Sequence, residues 1–217
     1  MNFVQARHNM VNQQVRTWGV FDRRVLETLL QIPREAFVPE AYRALAYADM
    51  PIPLGAGEYL FKPVVEARLL QALAIQTSDT VLEIGTGSGY LTACLARLAA
   101  YVHSVERSAQ WATAAQHRLA AQEITNVAIT QEEVREAWEP DAHFDVIVLG
   151  GSCPEYLTHW QDHLKLGGRL FVVVGNPPIM TARLVTRTGE QSWQTQDLFE
   201  TVIPPLYHTA KAPEFVL

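Results

Sequence analysis

Short apolar runs alternate with longer stretches of helical spacing across the middle of the chain, between about residues 80 and 175. Five of these runs predict strands, at 80–84, 101–106, 127–130, 144–149 and 169–174. The stretches between them predict helices at 90–98, 108–121 and 156–163. Because strands alternate with helices, we predict a mostly parallel sheet that is covered by helices on both faces.

The pattern changes on either side of this region. Residues 2–17 mix polar and apolar positions as a packed helix would, and a second helix is predicted to begin at an Asp22 cap and end at Pro33. Residues 37–63 are rich in proline and glycine and predict a long loop, which a helix at 64–75 follows. Beyond residue 175, edge strands are predicted at 182–187, 193–200 and 214–217.

Composition narrows the class of protein. Of the 217 residues, 48% are hydrophobic and 18% charged, which is typical of a globular chain with a sizeable core. The net charge of −6, without any lysine and arginine cluster, argues against nucleic acid as a partner. Neither a signal peptide nor an apolar run of membrane-spanning length is present, so we expect no membrane association. The two cysteines are expected to be free thiols of a cytoplasmic protein.

The most specific local signal is a glycine loop that directly follows the first strand of the central region. Residues 83–89 read Glu-Ile-Gly-Thr-Gly-Ser-Gly, so the backbone can turn tightly and a ligand can approach the amide groups. Glu106 lies at the end of the next predicted strand, where a carboxylate can bind ribose hydroxyls. The loop therefore predicts a site for an adenosine-containing cofactor.

The spacing of the loop selects among such cofactors. A dinucleotide fingerprint needs glycine at the sixth position, which is Tyr90 here, and no phosphate-loop lysine follows. A sulfonium cofactor with an ammonium group instead needs carboxylates near its site. Glu83 and Glu106 therefore favour S-adenosylmethionine over NAD or ATP. His159 and His163 are four residues apart but lack the glutamate of a zinc motif, so we predict no metal site.

These motifs, taken together, resemble the protein-L-isoaspartate O-methyltransferase family over roughly residues 8–175. The resemblance is carried mainly by Ile-Pro-Arg-Glu-Ala-Phe-Val-Pro at 32–39, by Pro-Ile-Pro-Leu-Gly-Ala-Gly at 51–57, by the glycine loop and by Leu-Gly-Gly-Arg-Leu at 166–170. It implies an α/β, Rossmann-like methyltransferase fold with a seven-stranded sheet and an N-terminal helical layer. It also implies protein repair, by methyl transfer to the α-carboxylate of L-isoaspartyl residues in damaged proteins.

The expected organisation is one domain over residues 1–217. Within it, 1–78 holds the N-terminal helices and substrate loop, 79–175 the cofactor-binding core, and 176–217 the C-terminal strands. The predicted cofactor-binding residues are Glu83, Gly85, Thr86, Gly87, Ser88, Gly89, Glu106, Arg107 and Glu133. Glu83 is expected to help hold the methionine end and Glu106 the ribose, and by resemblance Glu133 contacts the adenine.

The substrate loop departs from the family pattern. The family has Thr-Ile-Ser where this chain has Tyr59-Leu60-Phe61. By resemblance, Tyr59 and Phe61 occupy the candidate catalytic positions, Phe61 at the serine associated with catalysis and Tyr59 at the threonine. The loop is either an apolar lid over the cofactor or a pocket reshaped for another acceptor. Three functions therefore stay open: isoaspartyl methylation, methylation of a different carboxylate or peptide, and S-adenosylmethionine binding without catalysis.

Overall fold

The computed structural model describes residues 2–55, 57–134, 138, 140 and 142–206. Two short strands, β1 (Ile52–Gly55) and β2 (Glu58–Leu60), form an antiparallel hairpin. The main sheet contains β3 (Thr80–Ile84), β4 (Tyr101–Glu106), β5 (Val127–Gln131), β6 (Phe144–Cys153), β7 (Leu164–Asn176), β8 (Ile179–Gly189) and β9 (Ser192–Glu200).

The order of strands in the main sheet is β5-β4-β3-β6-β7-β8-β9. The pairings from β5 across to β7 are parallel, and those of β7 with β8 and β8 with β9 are antiparallel. The predicted mostly parallel, seven-stranded sheet is therefore confirmed. The chain runs outward from β3 through β4 to β5 and then returns to place β6 on the other side of β3. Ligands bind beside such a reversal of strand order, at the carboxyl ends of the strands.

Both faces of the sheet are buried, as a parallel sheet requires. Successive side chains of a strand point to opposite faces. Accordingly, Val146 and Val148 pack into one apolar cluster with the N-terminal layer, while Ile147 and Leu149 pack into a second cluster with Trp160. The helices that cover these faces, together with the N-terminal layer, are α1 (Phe3–Asn9), α2 (Arg23–Gln31), α3 (Pro63–Leu73), α4 (Tyr90–Leu98), α5 (Ala109–Ala121) and α6 (His159–Asp162).

The N-terminal layer fixes the helices that carry the site. The Asp22 side chain accepts a hydrogen bond of 3.0 Å from the Val25 backbone N–H and so caps α2, as predicted. From α2, the Arg24 guanidinium donates to the Ile75 carbonyl at 2.6 Å and to the Leu98 carbonyl at 2.9 Å. These carbonyls follow α3 and close α4, so one side chain joins three helices through groups that a helix end leaves unpaired.

Several elements differ from their predicted bounds. Residues 2–17 do not form one α-helix, because a π-helical turn at 10–15 and a 3₁₀ turn follow α1. The predicted loop at 37–63 contains the β1–β2 hairpin. The helix predicted at 156–163 is shorter, because α6 begins only at His159 and ends at Asp162, just before β7. The predicted strand at 214–217 lies outside the described residues. No helix in the described part of the chain has the length and apolarity needed to cross a membrane.

Candidate functional site

A crevice of about 260 Å³ opens beside the point where the strand order reverses. Its walls are the β1–β2 hairpin with Phe61, the glycine loop, the end of β4, the residues just after β5, Glu66 of α3, and the segment 204–206. This volume is close to the lower bound of small-molecule sites, roughly 300 Å³. The sequence-predicted loop and carboxylate thus meet at the ligand-binding edge of the sheet.

The backbone of the glycine loop adopts φ angles that are unfavourable for residues with a side chain. Gly85 has φ of +94° and Gly89 has φ of +86°, both in the left-handed region that favours glycine. A Cβ at Gly89 would lie 3.1 Å from the Cβ of Ala115 in α5, so glycine also permits the close packing there. Gly85, Thr86, Gly87 and Ser88 line the crevice, whereas Gly89 begins α4 behind it.

Glu106 joins the end of β4 to the glycine loop. One carboxylate oxygen accepts a hydrogen bond from the Gly87 N–H and the other accepts from the Ser108 N–H, both at 2.9 Å. The side chain is only 3% exposed yet lines the crevice. Burial raises the pKa of Glu106, and the two backbone hydrogen bonds oppose this shift. Each oxygen keeps a further lone pair, so the carboxylate can also accept from ligand hydroxyls.

Glu83 lies behind the loop and does not line the crevice. Its Oε2 accepts hydrogen bonds of 2.6 Å from the hydroxyls of Thr92 and Ser104, which join α4 and β4 to β3. Burial raises the pKa of Glu83 to about 7, against the lowering effect of these hydroxyls. Its contact with the methionine end stays a prediction, and the contacts present support the loop from below.

Glu133, which is predicted to contact the adenine, lies in the segment that directly follows β5. The Glu132 N–H donates to the Glu106 carbonyl at 3.0 Å, which extends the pairing of β5 with β4 by one residue. Glu132 and Val134 line the crevice, whereas Glu133 is half-buried and is not among its walls. The adenine role of Glu133 stays a prediction, and Glu132 is a neighbouring acid that faces the crevice.

The β1–β2 hairpin covers one side of the crevice with apolar side chains. Leu60 and Phe61 are 6% and 7% exposed, and both belong to the main apolar cluster, while Tyr59 is half-exposed. Glu58 pairs with Arg107 at 2.9 Å, so the hairpin is tied to the end of β4 and the Glu58 charge is compensated. This packing favours the interpretation of Tyr59–Phe61 as a lid.

Beneath the lid lies a buried ion pair that sequence reasoning missed. Arg34 and Glu66 are 0% and 1% exposed and are paired to each other. The Arg34 guanidinium also donates to the Phe61 carbonyl and lies 4.6 Å from the centre of the Tyr90 ring. Burial raises the pKa of Glu66 to about 7, and Arg34 opposes the shift. The available signal was Glu66, which with Arg68 is one of two charged residues amid the apolar positions of the predicted helix at 64–75.

A second missed wall comes from the chain after β9. Ser152 in β6 accepts from the Leu206 N–H at 2.8 Å and donates its own N–H to the Pro204 carbonyl at 2.9 Å. A Cβ at Gly151 would lie 2.6 Å from the Leu206 nitrogen, so glycine allows this approach. Pro204, Pro205 and Leu206 therefore close the crevice opposite the hairpin. No hydrophobic period marks this segment in the sequence.

The fold and the site together define a class. A mostly parallel seven-stranded sheet carries a glycine loop after its first strand and an acid at the end of the second. This arrangement is that of a Rossmann-like methyltransferase.

Known proteins place the chain within this class. Residues 5–210 match the family model described as Protein-L-isoaspartate(D-aspartate) O-methyltransferase. The chain is 39% identical over 207 residues to Protein-L-isoaspartate O-methyltransferase 1 of Rhodopseudomonas palustris strain HaA2, covering 94% of this chain and 84% of that protein. A relative from Geobacter metallireducens is 40% identical over 176 residues, which are 81% of this chain and 82% of that protein. The chain therefore belongs to the protein-L-isoaspartate O-methyltransferase family, a family of enzymes.

Solved structures agree on the fold. A putative protein-L-isoaspartate O-methyltransferase from Plasmodium falciparum, in complex with S-adenosyl-L-homocysteine, superposes with a TM-score of 0.81 at 21% identity, covering 96% of this chain and 99% of that one. Another protein-L-isoaspartate O-methyltransferase gives a TM-score of 0.78 at 25% identity and covers 92% of this chain and 65% of that one. The expected family resemblance and fold class are confirmed.

Proposed function

We propose that the protein transfers the methyl group of S-adenosylmethionine to the α-carboxylate of L-isoaspartyl residues in damaged proteins. The observation that carries the proposal is Glu106, a buried acid bound to the glycine loop and facing the crevice in a chain of this family. The family membership supports the reaction class, and the crevice supports an adenosine-containing ligand.

The residues present fit this cofactor. The Glu106 oxygens can accept from ribose hydroxyls, and apolar side chains of Ile84, Val105 and Val134 line the same crevice. Glu66 adds a buried carboxylate oxygen, Oε1, that has no hydrogen-bond partner among the described residues. When bound, S-adenosylmethionine supplies a methyl group on a positively charged sulfur that a carboxylate oxygen attacks directly. These acceptors and walls suit an adenosyl ligand with cationic groups.

The protein's task in this reaction is orientation and exclusion of water. A carboxylate is already anionic at neutral pH, so the substrate needs no general base. Holding two reactants in line can contribute about 7–11 kcal/mol to catalysis. Leu60 and Phe61, held by the Arg34 bond to the Phe61 carbonyl, form a dry wall on which the reacting groups can meet. The lid therefore substitutes packing for the hydroxyl groups that the family loop carries.

Adenine recognition is proposed for the acidic residues after β5. Because Glu132 lines the crevice and Glu133 does not, the two alanine variants form a matched pair. If the sequence assignment is right, Glu133→Ala weakens S-adenosylhomocysteine binding in calorimetry more than Glu132→Ala does. The reverse order would transfer the adenine contact to Glu132.

The altered lid supports a second candidate, a family member that methylates another carboxylate or only binds the cofactor. Radiolabelled methyl transfer onto an isoaspartyl peptide and its aspartyl twin separates the candidates. We expect label on the isoaspartyl peptide alone, released as methanol in base as an ester requires. Binding of S-adenosylmethionine without transfer to the peptide or to small carboxylic acids would contradict the proposal.

A further inference from the structure

Glu66, a wall residue of the crevice, carries a carboxylate oxygen that no described residue satisfies. Its Oε2 is paired with Arg34, while Oε1 is buried and has no hydrogen-bond partner among the described residues. Leaving such an oxygen unpaired is costly, and more so when the group is charged. Because Glu66 is also a wall residue of the crevice, a ligand can supply the missing donor.

The buried charges near the crevice are out of balance. Glu66, Glu83 and Glu106 are at most 3% exposed, and Arg34 is the one buried base among the described residues. Arg34 is paired with Glu66 alone, while Glu83 accepts from hydroxyl groups and Glu106 from backbone N–H groups, so no buried base compensates these two acids. Burial accordingly raises the pKa of both Glu66 and Glu83. A positively charged ligand group would restore the balance.

The positions of Glu66, Glu83 and Glu106 indicate which end of the ligand would carry the positive charge. Glu106, the proposed ribose acceptor, ends β4, which lies between β5 and β3 in the sheet. Glu132 and Val134, after β5, line the crevice on one side, and Ser88 and Leu91, after β3, line it together with Phe61 and Glu66. If the adenine lies toward β5, the amino-acid end of the cofactor lies toward Glu66. Glu83 is separated from that end because it lies behind the crevice wall.

We propose that Glu66, held by Arg34, receives the α-ammonium group at the methionine end of S-adenosylmethionine, a role that sequence reasoning gave to Glu83. The inference rests on the proposed function, since it names a contact within the same site. Arg34 also binds the Phe61 carbonyl, so the same guanidinium holds both the anchoring acid and the lid. Glu66 is a binding residue for the ammonium, and Arg34 is its positioning residue.

The test compares three ligands by calorimetry. S-adenosylhomocysteine carries the ammonium, its deaminated analogue lacks that group alone, and 5′-methylthioadenosine lacks the whole amino-acid end. For the wild-type protein we expect S-adenosylhomocysteine to bind at least about tenfold more tightly than the deaminated analogue, as a charge-assisted hydrogen bond predicts. Glu66→Gln should reduce this ratio to below about threefold while leaving 5′-methylthioadenosine binding within about threefold of wild type.

The matched variant is Glu83→Gln, which should keep the tenfold ratio because Glu83 does not line the crevice. Glu66→Asp, which retracts the carboxylate by one methylene, should lie between wild type and Glu66→Gln and serves if the glutamine variant does not fold. A wild-type protein that binds both ligands equally, or a ratio lost in Glu83→Gln but kept in Glu66→Gln, would overturn the assignment. A wild-type protein that binds none of the three ligands would instead contradict the proposed function.

Discussion

Replacement of Glu106 by glutamine changes charge at the centre of the site with little change in shape. The carboxylate accepts from Gly87 and Ser108 at 2.9 Å, one bond on each oxygen. A glutamine side chain has a single acceptor oxygen, so one backbone N–H must face the amide NH₂ group. The variant therefore loses one charge-assisted hydrogen bond and the charge that would accept from ribose hydroxyls.

The magnitude follows from that loss. A hydrogen bond to a charged group contributes about 1.5–3 kcal/mol, and each 1.4 kcal/mol is a factor of ten in affinity. We expect Glu106→Gln to weaken S-adenosylhomocysteine binding by roughly ten- to a hundredfold in isothermal titration calorimetry. Glu106→Ala should weaken it further, because both backbone donors lose their partner. A dissociation constant within about twofold of wild type would refute the ribose assignment.

The control is Glu190→Gln, which makes the same chemical change at an exposed residue in the turn between β8 and β9. We expect it to leave affinity unchanged. Thermal unfolding of each variant, without ligand, separates loss of the contact from loss of the fold. If Glu190→Gln weakens binding as much as Glu106→Gln does, the effect is general charge rather than a contact.

Three further predictions concern stability. Arg34→Met leaves Glu66 buried without its partner and should lower the free energy of unfolding by about 3–5 kcal/mol in urea, whereas adding Glu66→Leu should recover most of it. If the double variant instead loses the sum of the free energies that the two single variants lose, the prediction is contradicted. Because the folded-state pKa of Glu83 is raised to about 7, the folded protein holds that proton while the unfolded chain releases it, so unfolding free energy falls as pH rises from about 5 to 7. Denaturation of Glu83→Gln across this interval should show less of that fall, and an identical pH profile would argue against the shift. Gly89→Ala should lower stability by about 1–3 kcal/mol in thermal unfolding, since φ is +86° and Ala115 is close; no change would show that the loop relaxes.

The positions and the parallel direction of the central strands could be predicted because both faces of a parallel sheet are buried. The run at 144–149 is apolar at consecutive positions, and Val146 and Ile147 do pack on opposite faces. The start of β7 at Leu164 could not be predicted from the sequence. The apolar run begins only at residue 169, and exposed residues and paired glycines precede it. Its pairing with β6 comes from tertiary contact rather than from a local pattern.

Some residues of the site could likewise be predicted from the sequence, and others could not. The glycine loop and Glu106 are local features of one βαβ unit, so spacing alone brought them together. The Arg34–Glu66 pair and the wall at 204–206 join segments far apart in the chain, and no period records such contacts. Glu83 belongs to the same motif but does not line the crevice, so its contact with the methionine end stays a prediction.

The most direct test of the account is a crystal structure of the protein with S-adenosylhomocysteine. We expect the ligand in the crevice between the hairpin and the segment 204–206, with its ribose hydroxyls on the Glu106 carboxylate and its ammonium on Glu66. Density for the ligand elsewhere, or a crevice that stays empty at saturating ligand because Phe61 and its neighbours fill it, would contradict the account.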